Sequence, residues 1–153
     1  MYAAFAVGRI ALVAIFIVTG AGKFLDIPGT ADAIQSKLTI PSELSDLTSQ
    51  IEAATSMSIW QILAIVVGAI EVICALLIAF NVLTRTAAVV LLLFVAVATF
   101  YFHDFWNMTS PAETANQRAH ALKNLAIMGA LLMLASWPRR AMAAESSDRL
   151  EPL

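Results

Sequence analysis

A chain of 153 residues that is 60% hydrophobic, 13% charged and formally at -2 falls outside the composition of soluble domains and has no basic stripe with which to follow nucleic-acid phosphates. The length allows about four membrane-spanning helices of ~20 residues each with their connections, and leaves no room for a second domain. One cysteine, Cys74, excludes an intramolecular disulfide and a CxxC redox centre; it reads as a small apolar residue within a helix.

Residues 4–25, AFAVGRIALVAIFIVTGAGKFL, read as a first span. It is expected to stay as an anchor, because no small-x-small cleavage site leads into a polar mature start. Steps of four and three put Arg9, Val13, Phe16, Gly20 and Lys23 on one face, which should look inward. Residues 26–58 change character, with Asp26, Asp32, Glu43, Asp46 and Glu52, two prolines and no run long enough to span. Thr30 and Ser42 are the expected N-caps of two short helices, near 31–38 and 43–55, forming a solvated lid on the bundle's end.

The second span, 59–80, carries Glu71 near its midpoint. An ionised acid at membrane depth persists only with a partner, or as a neutral acid facing the bundle interior. Ala64, Gly68, Glu71, Ala75 and Ala79 share one helical face, and small residues beside a buried acid predict close helix packing. The short connection over 81–85 sends a third span, about 84–102, back antiparallel. That span ends in YFHDFWN, an interfacial aromatic belt with His103 and Asp104 set into it. Residues 108–119 form a polar hairpin in which Ser110-Pro111 opens a helix that runs on into the fourth span, about 120–137. His120, Lys123 and Asn124 lie in its first turns. The spans make a single domain over 1–140, and the tail, 141–153, is expected to be polar and mobile.

Arginines at positions 9, 85, 139, 140 and 149 fall on one side of this topology, which places both termini in the cytoplasm. Lys23, His103, Asp104, His120, Lys123 and Asn124 then gather toward the outer leaflet, with Glu71 and Arg9 deeper. Taking the spans at face value, Arg9 and Glu71 are offset axially by ~7 Å, within reach of an extended guanidinium. The expectation is a structural ion pair between Arg9 and Glu71, with Lys123 as the alternative partner.

GRIALVAIFIVTGAGKF, GAIEVICALLIAF with the following LTRTAA, FYFHDFW and HALKNLAIMGALLML together resemble the DoxX family over nearly the whole chain. The resemblance implies a bacterial inner-membrane protein of four helices, in a family named for a subunit of an archaeal thiosulfate:quinone oxidoreductase, with relatives linked to redox homeostasis alongside partner proteins. Arg9, Lys23, Glu71, His103, Asp104, Lys123 and Asn124 match the family's polar pattern, but catalytic roles do not come with it. The fold expected is an all-α, integral membrane four-helix bundle with a helical extramembrane loop between the first and second spans.

Two functions fit these residues. One is a membrane subunit of an oxidoreductase or redox-homeostasis system whose polar cleft, drawn from Lys23, Glu71, His103, Asp104, His120, Lys123 and Asn124, binds a quinone or similar lipophilic molecule, with chemistry supplied by a redox partner protein. The other is a non-catalytic bundle that binds or moves a small molecule or lipid, or scaffolds other membrane proteins. Neither needs an intrinsic cofactor or a metal; no glycine-rich dinucleotide loop and no facing haem ligands are evident. The lipid bilayer is an expected partner, and a homo-oligomer is left open.

Overall fold

The structure, a computed structural model, describes residues 2–136; the expected tail at 141–153 lies outside them. Within that range the chain is helical, with no strand among the described residues. Helices α1 (Tyr2–Leu25), α2 (Ile27–Gln35), α3 (Ser45–Thr55), α4 (Ile59–Ala79), α5 (Thr84–Phe102) and α6 (Pro111–Ser136) follow in order, with 3-10 turns at Ser42–Leu44 and Phe105–Asn107. Four of them, α1, α4, α5 and α6, are long and apolar enough to cross a membrane. In hydrocarbon no water satisfies backbone N–H and C=O groups, so uninterrupted apolar runs of this length resolve as helices. The all-α class and the four spans are therefore as the sequence indicates. The polar hairpin and the fourth span form one element, since α6 starts at Pro111 and continues without a break.

Contacts divide the chain into two compact units, one holding the chain up to Ala14 and from Cys74 onward, the other Ile15–Ile73. In the first, α5 and α6 form an antiparallel pair. Arg85 Nε donates to the Ala135 carbonyl, Asn124 to Thr99, and His103 meets Gln117, so partner numbers fall on one helix as they rise on the other. Ala87, Leu91 and Val95 on α5, with Leu131 and Leu134 on α6, are buried at helical spacing. The connection into α5 is tight because two non-glycine residues are left-handed: Asn81 at φ 61° and Leu83 at φ 48°. Asparagine tolerates this region, whereas leucine does not favour it. Val82 N–H donates to the Leu77 carbonyl and Asn81 N–H to that of Ile78, closing the last turn of α4.

In the second unit the caps differ from expectation. Asp26, not Thr30, caps α2, its carboxylate accepting from Gly29 N–H, while Thr30 lies inside the helix and returns its hydroxyl to the Asp26 carbonyl. Pro28 fits the first turn, where its missing N–H is no loss. Ser42 opens the 3-10 turn rather than capping a helix, and α3 begins at Ser45. Ahead of α4, Ser58 and Gln61 cap each other: Gln61 N–H donates to Ser58 Oγ and Ser58 N–H to Gln61 Oε1. Here α1 and α4 touch at their glycines. A Cβ on Gly20 would lie 2.8 Å from Val72 Cγ2 and 3.0 Å from the Gly68 carbonyl, and one on Gly68 would lie 3.1 Å from the Gly20 carbonyl. The absence of side chains at both positions lets the backbones approach this closely.

Candidate functional site

Close approach of α1 and α4 sets the partner of the buried acid. Glu71 is 3% exposed, and Lys23 Nζ lies 2.6 Å from its Oε2. Thr19 Oγ1 is 3.2 Å from Oε1, and also 2.9 Å from the Ile15 carbonyl, so its one proton serves both acceptors. Lys23 Nζ further reaches the Thr19 carbonyl at 3.4 Å. The carboxylate is thus met on both oxygens by one turn of α1, Thr19 to Lys23.

The expected Arg9–Glu71 pair is replaced by this arrangement. Antiparallel packing through Gly20 and Gly68 lays Glu71 against the Lys23 end of α1, a register that flush span ends did not reveal. Arg9, 5% exposed, is held by other groups. Its Nη1 donates to Asn81 Oδ1 at 2.6 Å and its Nη2 to the Ala79 carbonyl at 3.4 Å, while Cζ sits 5.8 Å from the Phe5 ring centre. Thr84 Oγ1 donates to the same Asn81 oxygen. A cation against the last carbonyls of α4 complements the helix dipole, yet Arg9 Nε is buried and without a partner.

A third group lies on α5 and α6. The His103 and His120 rings stack nearly parallel, 7° apart in tilt with centroids 5.1 Å apart. His103 Nδ1 is 2.8 Å from Gln117 Oε1. With that oxygen facing it, Nδ1 carries the proton and Nε2 keeps the lone pair; turning the amide over reverses both. Asn124 Nδ2 donates to Thr99 Oγ1 at 2.9 Å. Gln117, His120, Lys123 and Asn124 recur at steps of three, three and one, so they line one side of α6. Both histidines are half-buried and Lys123 is exposed. Asp104 heads the 3-10 turn after α5 and accepts from Asn107 Nδ2 at 3.3 Å. Among the described residues, no three His, Cys, Asp or Glu side chains gather as metal ligands would.

Of the residues singled out in the sequence, the structure pairs Lys23 with Glu71 and His103 with His120, and gives Asn124 and Arg9 partners of their own. Sequence reasoning missed Thr19, Asn81, Thr99 and Gln117. Two had a local signal: Thr19 stands one turn before Lys23, and Gln117 one turn before His120.

Four apolar spans with buried charges held by helix-borne partners define a polytopic all-α membrane protein. The chain belongs to the DoxX family, whose model matches residues 4–104. It is similar to the inner membrane protein YphA of Escherichia coli (strain K12), 30% identical over 129 residues that cover 84% of this chain and 79% of the relative. No solved structure matches. Likeness and spans together support a multi-pass inner-membrane location. The match takes in Arg9, Lys23, Glu71, His103 and Asp104; the polar face of α6 lies beyond it.

Proposed function

We propose that this protein is a membrane subunit of an oxidoreductase or redox-homeostasis system and binds a lipophilic carbonyl compound of the quinone class along the polar face of α5 and α6. The observation that carries the reading is the stacked His103–His120 pair beside Gln117. Two half-buried imidazoles, one at the C-terminal end of α5 and one within α6, offer hydrogen bonds to the carbonyl oxygens of such a compound. Imidazole also passes protons near neutral pH, and reducing a quinone to its quinol takes up two protons with two electrons. In this reading the electrons come from a redox partner protein. Lys123, one turn beyond His120, adds a donor on the same side of α6. The orientation that accompanies this reading puts both termini in the cytoplasm and the histidines toward the outer leaflet.

The test is to purify the protein in mild detergent, extract it and quantify quinones by mass spectrometry, then repeat with His103→Ala, His120→Ala and Lys123→Ala. Loss of one hydrogen bond, about 0.5–1.5 kcal/mol, predicts roughly two- to tenfold weaker retention for each histidine variant with helicity unchanged. Equal quinone content in folded variants and parent rejects the site and favours a non-catalytic binding or scaffold role. Reporter fusions after Thr48 and after Glu145 check the orientation, which predicts periplasmic and cytoplasmic signals respectively.

A further inference from the structure

Helix α3 buries none of its residues, yet it is not polar all round. Leu44, Leu47, Ile51 and Ala54 recur at steps of three, four and three, which places them along one side, and Leu44 and Leu47 are 45% and 55% exposed. Asp46, Ser49 and Ala53 occupy the opposite side. The helix is also tethered. Ser56, left-handed at φ 56°, ends α3 by donating its N–H to the Glu52 carbonyl, and only residues 56–58 separate it from the spanning helix α4. Glu52 then turns its side chain forward: Oε1 accepts the N–H of Ile59, the first residue of α4, at 2.8 Å. One residue therefore closes α3 with its backbone and caps α4 with its side chain. The end of α3 is thus held to the start of the spanning helix α4, whose first turn carries Trp60, a residue type enriched at membrane–water boundaries.

We propose that α3 lies in the membrane–water interface of the host bilayer, with its Leu44–Leu47 flank among the upper acyl chains and its Asp46–Ser49 side in water. Over 42–58 the chain carries Glu43, Asp46 and Glu52 and no lysine or arginine. Interfacial helices that seek anionic lipid are rich in basic residues, so this one is suited to zwitterionic headgroups and is repelled by anionic ones.

The experiment uses the full chain carrying Cys74→Ala, with a nitroxide attached at Leu47→Cys, Leu44→Cys or Ser49→Cys, reconstituted in phosphatidylcholine vesicles. Accessibility to oxygen, which concentrates in lipid, is compared with accessibility to a water-soluble nickel chelate. The expected result is an oxygen-to-nickel ratio severalfold higher at positions 44 and 47 than at 49, falling when phosphatidylglycerol replaces part of the phosphatidylcholine. Equal aqueous exposure at all three positions overturns the proposal in favour of a solvated lid. Protection of 44 and 47 from both reagents overturns it in favour of a protein partner or a second copy of the chain, and a ratio insensitive to phosphatidylglycerol removes the preference for neutral lipid.

Discussion

Two cations on the inward face of α1, Arg9 buried and Lys23 part-exposed, are accommodated in different ways. Lys23 meets a full opposite charge at 2.6 Å, and Thr19 bonds the other oxygen of that carboxylate. Arg9 meets no counter-ion but the Asn81 amide, the Ala79 carbonyl and the Phe5 ring, and leaves Nε unbonded. The first arrangement is neutral as a pair and fails badly if one member is lost, because the other becomes a lone charge in low dielectric. The second retains a net charge, spread over the guanidinium and softened by the end of a helix, so each of its bonds matters less. The contrast shows that a buried charge in a spanning helix has two workable settings, a counter-ion or a ring of oriented acceptors.

The largest effect is expected at the ion pair. Lys23→Met strands Glu71, whose side chain is 4% exposed, and should lower stability by about 3–5 kcal/mol in equilibrium unfolding from mixed micelles. Glu71→Gln should cost less, since the Lys23 side chain keeps 22% of its surface accessible and can turn outward. The double variant should return close to the parent; additive losses would show that the two charges are not coupled. Next comes Asn81→Gly, which keeps the left-handed backbone while removing the acceptor shared by Arg9 and Thr84, for about 1.5–3 kcal/mol in the same assay. If this loss matched that of Lys23→Met, the distinction between counter-ion and dipole settings would collapse. The smallest effect distinguishes two glycines of α1. Gly20→Ala pushes a methyl into Val72 and the Gly68 backbone and should cost about 1–3 kcal/mol. Gly22→Ala, with nothing within 4 Å of its Cβ, should stay within about 0.5 kcal/mol of the parent.

The spans were legible because hydrocarbon allows so few backbone solutions that run length nearly decides them. The inward face of α1 was legible for a related reason: a period of 3.6 separates Arg9, Val13 and Phe16, all nearly inaccessible, from lipid-facing Val7, Ile10 and Val18. Glu71 stood out by its chemistry. Its partner did not, because helix register depends on which small residues meet, and Gly20 against Gly68 is a match that only three dimensions display. Asn81 lies in the short connection that the sequence marks, and its φ of 61° suits a turn, but its side chain acts on an arginine 72 positions earlier. The cap of α2 has a local signal that the choice of Thr30 overlooks: aspartate outranks threonine at this position, and Asp26 stands two residues before a proline suited to the first turn.

The separation of 48 residues between Lys23 and Glu71 also orders events during synthesis. Chains emerge N-terminus first at about 5–20 residues per second, so roughly 2–10 seconds pass between the making of the lysine and the making of its carboxylate. Over that interval α1 holds an unneutralised ammonium, tolerable because Lys23 stands at the helix end, where a long side chain can keep its head in water. Glu71 has no such refuge near the middle of α4, but it is made second, when its counter-ion already exists. The charge able to wait is the one the ribosome delivers first.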